Sequence, residues 1–173
     1  SEKDVERRIQ LANIAVGRIN SLLWSPRVTK AKKSRLIMCF VYPVISYACE
    51  TWALRVTTKK ILDVIWMKWM RRCAGVSIAD KIRNVDILED LNQIPLSKRI
   101  EERQLKYAGH VFRMEENRSA RLVLTASLPE QNQFIHRGRD MSWRRQVLEQ
   151  LAGKEEQEVK KLFEKKTNQK KKR

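Results

Sequence analysis

Glycine and proline are scarce, with five and four residues in a chain of 173. All-β sandwiches and barrels lean on both in their turns, and phosphate-binding loops need glycine clusters, so neither is expected. No apolar run approaches the roughly 18 residues of a membrane-spanning helix, and no membrane partner is expected. Cysteine is limited to Cys39, Cys49 and Cys73, and histidine to His110 and His136. A structural zinc site takes four ligands, usually as two close pairs, and no Cys-x-x-Cys pair exists. The thiols are therefore expected to be buried and reduced, with no metal site and no cofactor. There is no Gly-x-Ser-x-Gly elbow and no His-Glu-x-x-His. The acidic pairs Glu101-Glu102 and Glu115-Glu116 sit among basic residues, where surface pairing accounts for them. No catalytic residue is assigned, and the chain is not expected to be an enzyme.

Acid is the other shortage. Asp and Glu number 20 against 37 Lys and Arg, a formal charge of +17. Such an excess repels itself within a compact fold and is usually answered by a polyanion. The chain is also 42% hydrophobic, enough to build a core. The first residues, Ser-Glu-Lys-Asp-Val-Glu-Arg-Arg, read neither as a secretory signal nor as an acid-poor transit segment. The expectation is a soluble, intracellular, basic, all-α protein.

Apolar spacing places the helices. Val5, Ile9, Ala12, Val16, Ile19 and Leu23 recur every three or four residues, which predicts a helix over 4–24 stopped by Ser25 and Pro26. Thr29 is the expected cap of a second helix whose first turns carry Lys30, Lys32, Lys33 and Arg35. These cations oppose the helix dipole, a cost that an anionic partner would offset. From Leu36 to Ala48 the pattern is apolar all round, which predicts burial on most sides, with a kink from Pro43 near Cys39 to Tyr42. A third helix is expected to start at Thr57 or Thr58 and to end at Gly75. Its stripe is Ile61, Leu62, Ile65, Trp66, Trp69, Met70 and Cys73, with the two tryptophans read as core. Lys68, Arg71 and Arg72 gather at its C-terminal end, where cations suit the dipole. Asn84 is the expected cap of a short helix, and Pro95 opens another from about Leu96 to Met114. A short helix over 118–126, a loop over 127–139 and a helix from Asp140 to Gly153 follow.

Residues 154–173 hold nine basic and four acidic side chains, leaving +12 for residues 1–153. The basic character thus belongs to the folded part as well as to the tail. The end of the tail, including Lys170, Lys171, Lys172 and Arg173, is expected to be disordered and to act as a nuclear import signal or a phosphate-binding arm.

Several runs resemble a known family. Pro43-Val44-Ile45-Ser46-Tyr47-Ala48-Cys49-Glu50-Thr51-Trp52 resembles the P-x-L-x-Y-G-x-E-T-W stretch of non-LTR (LINE-type) retrotransposon reverse transcriptases, with Ala48 where glycine is usual. Arg8-Ile9, Ala12 and Gly17-Arg18-Ile19 are similar to the first helix of that family's thumb. Arg71-Arg72 followed by Asp80-x-Ile82-Arg83-Asn84-x-x-Ile87 resembles its R-R and D-x-I-R-N pattern. Gln104-Leu105-Lys106-Tyr107-Ala108-Gly109-His110-Val111-Phe112-Arg113-Met114 resembles its R-L-R-W-x-G-H-V-x-R-M signature. Arg137-Gly138-Arg139 with Trp143 is similar to its R-G-R-P end, with Asp140 in place of proline. The motifs run in the family's order over roughly residues 5–150. The resemblance implies a thumb-like helical bundle over 1–78, a helical C-terminal extension over 79–153 and a basic tail over 154–173. It also implies a position along a template–primer duplex. The family's polymerase and endonuclease motifs are not in this sequence.

Two functions follow as expectations. The first is a non-catalytic nucleic-acid-binding module, RNA favoured, that holds phosphates without reading bases. Its candidate contacts are Lys30, Lys32, Lys33, Arg35, Lys68, Arg71, Arg72, Arg99, Arg103, Lys106 and Arg113, with the tail's Lys170, Lys171, Lys172 and Arg173. The second is a domesticated nuclear adaptor that keeps the scaffold and offers an apolar groove to a protein in a ribonucleoprotein complex. Trp24, Trp52, Tyr42 and Phe134 are more aromatic surface than one core needs.

Overall fold

The computed structural model describes residues 2–125, with the side chains of 2–123, together with Val147. The expected loop over 127–139, most of the helix expected from Asp140 and the tail lie outside the described residues. The fold is all-α, and no strand occurs among the described residues. In order come α1 (Glu2–Trp24), α2 (Lys30–Leu36), a π-helical turn (Ile37–Val41) and α3 (Tyr42–Ile45). A 3-10 turn (Cys49–Thr51), α4 (Val56–Ala74), α5 (Asn84–Asp90), α6 (Leu96–Phe112) and α7 (Ser119–Thr125) follow.

Packing divides the chain into two compact units. Among the described residues, the first comprises residues 2–49 and 54–100, and the second comprises residues 50–53 and 101–125. Residues 79–100 pack with the first unit.

In the first unit, α1 buries Val5, Ala12, Val16 and Leu23, the stripe its spacing predicts. This face meets α3 and α4. On α4, Leu62, Trp66, Trp69, Met70 and Cys73 are buried, and Ile61 is exposed. The rings of Trp66 and Trp69 meet edge to face with centroids 6.1 Å apart, a geometry favoured by the aromatic quadrupole. Helix α4 ends at Gly75 with φ 72°, a left-handed value that glycine adopts without penalty. Its start differs from expectation, because Arg55 is the capping residue in place of Thr57 or Thr58. Thr58 is buried instead.

The run from Ile37 to Ile45 corrects a second expectation. Ile37, Val41 and Ile45 are buried, but Cys39, Phe40 and Pro43 are exposed. Only one side of this apolar helix is covered. The π turn answers Pro43. A proline cannot donate to the carbonyl four residues back, and its ring crowds that turn. Widening the turn places the Tyr42 N–H on the Ile37 carbonyl, five residues back. The cysteine expectation is corrected in the same place, since Cys49 and Cys73 are buried but Cys39 is exposed.

Asp63 of α4 holds the start of α6. Its Oδ1 accepts from the Ser97 N–H at 2.8 Å and its Oδ2 from the Ser97 hydroxyl at 2.6 Å. The first N–H groups of a helix have no partner within it, so a carboxylate there satisfies a donor and suits the dipole.

The second unit is organised by residues 50–53. The Gln104 carboxamide donates to the Trp52 carbonyl at 2.7 Å, and the Arg103 guanidinium pairs with the Glu50 carboxylate. Trp52, Leu105, Ala108 and Val111 are buried.

Candidate nucleic-acid interface

The cations named from the sequence fall into three groups: one buried, several tied into the scaffold, and a few open to solvent.

Helix α2 sorts its basic residues by face. A turn of 100° per residue sends Lys33 and Ser34 inward with Ile37, and Lys32 and Arg35 outward. Lys33 is only 8% exposed, so it leaves the surface set. Its charge lies near Cys73. Burial pushes the Cys73 thiol up to about 12, and Lys33 partly offsets that rise by stabilising the thiolate. Thr29 takes the capping position with an extended backbone, but its hydroxyl makes no capping bond. Lys30 is exposed and paired with Asp90 at 2.8 Å.

At the end of α4, Arg71 and Arg72 act as structural clamps. Arg71 donates to the carbonyls of Ser77 at 3.1 Å and Ile82 at 2.8 Å, and to Asn84 Oδ1 at 2.8 Å. Asp80 Oδ2 accepts from the Ser77 N–H at 2.6 Å and tightens the same loop. Asn84 thus does not cap α5 with its side chain; Arg83 takes the capping position. Arg83 pairs with Asp86, whose carboxylate raises its pKa further. Arg72 donates to Asn20 Oδ1 on α1 at 3.1 Å. Lys68 is exposed beside these clamps, on a groove of about 620 Å³ walled by Val64, Met67, Val76 and Ile78.

Arg99, at the first-unit end of α6, lies over the Tyr42 ring at 5.5 Å and donates to Gln93 Oε1 at 2.9 Å. In the second unit, Arg103 holds Glu50, whereas Lys106 and Arg113 are exposed. Lys170, Lys171, Lys172 and Arg173 lie outside the described residues.

Two of the named cations on α2 are open. Lys32 and Arg35 are exposed and have no acidic partner among the described residues. They border a cavity of about 350 Å³ completed by Val28, Leu36, Cys39 and Phe40. No carboxylate lines it. Phe40 was read from the sequence as part of a buried run, and it is 57% exposed.

Among the described residues, no cluster of three His, Cys, Asp or Glu side chains is placed to hold a metal ion. His110 is exposed. No helix among the described residues is long and apolar enough to cross a membrane. Comparison of the chain with protein-family models, with curated proteins and with solved structures finds no match in any of the three.

Proposed function

We propose that this chain is a non-catalytic nucleic-acid-binding module, with RNA as the favoured ligand, built like the thumb and C-terminal end of a non-LTR retrotransposon reverse transcriptase. The observation that carries the reading is the pair Lys32 and Arg35, solvent-exposed on one helix face beside a cavity that no carboxylate lines. In a chain of +17 such a face attracts a polyanion, and phosphates would release counterions on meeting it. Lys68 and Lys106 are further exposed cations.

The thumb likeness is supported by what its motif residues do. Ala48 has φ 57° at the position where the pattern has glycine. Glu50 and Trp52 of one motif bond to Arg103, beside the motif that runs from Gln104 to Met114, and to Gln104 within it. Arg71 of a third bonds to Asn84 of the same motif. Residues that hold a scaffold together explain a pattern that extends across separate segments. Nuclear residence within a ribonucleoprotein complex is part of the same proposal.

The test is affinity for an RNA hairpin and an RNA–DNA hybrid across a salt series. Binding should weaken steeply with salt, and Lys32→Glu with Arg35→Glu should weaken it for all sequences alike. Absence of binding at low salt, or a flat salt response, removes the reading.

A second reading has one observation in its favour. The groove beside Lys68 is largely apolar and is flanked by the exposed side chains of Val64 and Ile78, as a protein adaptor would offer to a partner helix. A specific protein partner retained after nuclease treatment, and lost on Val64→Asp, would favour it.

A further inference from the structure

We propose that the cavity between Lys32, Arg35 and Phe40 is a stacking subsite for an unpaired nucleobase, so that the module prefers single-stranded nucleic acid over duplex at this face. The proposal rests on the nucleic-acid reading above and specifies its ligand.

The chemistry of the lining sets the occupant. Val28, Leu36 and Phe40 supply an apolar lining, and Lys32 and Arg35 supply two positive charges that no lining acid opposes. A ligand that fits must carry a flat apolar face and a negative charge within a few ångströms of each other. A nucleotide has both, in its base and its phosphate. The volume, about 350 Å³, lies at the small end of ligand pockets, as suits one nucleotide rather than a folded partner. Phe40 leaves more than half of its surface to solvent, so its ring is available to a ligand. In a duplex each base is covered above and below by its neighbours, and a protein ring can reach a base face only by unstacking it. An unpaired base needs no such opening. Stacking on an aromatic ring is tolerant of base identity, because every base has a π face.

The structure also supplies a reporter. Cys39 lies in the wall of this cavity and is exposed, whereas Cys49 and Cys73 are buried. A base seated on Phe40 should shield Cys39 from a maleimide.

The experiment uses the full chain with a 12-nucleotide single-stranded RNA of mixed sequence and the corresponding RNA duplex. The single strand should slow Cys39 alkylation markedly at saturation. Phe40→Leu should weaken single-strand binding by at least about fivefold and leave duplex binding unchanged, while Phe40→Trp should retain it. Phe40 is exposed, so these variants are expected to fold, and circular dichroism checks that they do. If the single strand binds but neither shields Cys39 nor responds to Phe40→Leu, the stacking subsite is overturned while phosphate binding stands. If no nucleic acid binds at low salt, the parent reading falls and the subsite falls with it. If the protein self-associates and Phe40→Leu abolishes that, the cavity is covered by a second copy and the proposal is overturned.

Discussion

The carboxamide of Gln104 donates to the carbonyl oxygen of Trp52, two residues separated by 51 intervening positions, and Gln104 is only 1% exposed. A buried polar side chain is retained only where its hydrogen bonds are made. Replacing Gln104 with Leu leaves the Trp52 carbonyl without this donor, so stability should fall by about 1–3 kcal/mol, read as a lower urea midpoint. A variant as stable as the parent would show that this bond does not organise residues 50–53.

Ala48 occupies a left-handed conformation with φ 57°. A side chain there costs roughly 1–2 kcal/mol, part of which glycine returns through the greater freedom of its unfolded chain. Ala48→Gly should therefore raise stability by up to about 1 kcal/mol, which thermal unfolding resolves. A loss of stability would contradict the strain.

The two kinds of cation at the end of α4 should separate in a denaturation experiment. Arg71→Ala removes three donor contacts to the loop that follows and should cost on the order of 2 kcal/mol. Lys68→Ala, at an exposed position, should change stability by no more than about 0.5 kcal/mol. Equal effects would mean that the loop is held by something other than Arg71.

Lys33→Glu is expected to unfold the first unit or to lower its stability by several kcal/mol, because it buries a carboxylate where the native residue sits 8% exposed. It is consequently unsuitable as a probe of binding, whereas Lys32→Glu should fold normally. Circular dichroism of the two variants side by side decides this.

Alkaline stability has a defined sign. The buried Cys73 thiol titrates at about 12 in the fold, against 9.0 for an ordinary thiol. Between these values the unfolded chain has lost the proton and the folded chain still holds it, so stability should decline as pH rises from about 9 toward 12. Cys73→Ala should flatten this part of the profile, measured by urea unfolding at successive pH values. An unchanged slope would place the alkaline transition on other groups.

Much of the scaffold is legible in the sequence because a helix buries one face at a fixed period. The stripe on α1, the tryptophans of α4 and the stop at Gly75 all follow from spacing and local chemistry. The pattern is weaker where every residue is apolar. Between Leu36 and Ala48 periodicity cannot say which side is covered, and the exposed Phe40 was missed there. Individual charges are less legible still. Lys32 and Lys33 are adjacent and chemically identical, yet a rotation of 100° puts one in solvent and the other in the interior. Long-range partners such as Glu50 for Arg103 and Asp63 for Ser97 depend on tertiary packing that no local spacing encodes.

Residues 50–53 have a consequence for dissecting the molecule. They pack with the second unit but are threaded between α3 and α4 of the first. No single cleavage point yields both units whole. A recombinant fragment beginning at residue 101 would retain Gln104 and Arg103 without the tetrapeptide they hold, and so would lose the bonds to the Trp52 carbonyl and the Glu50 carboxylate.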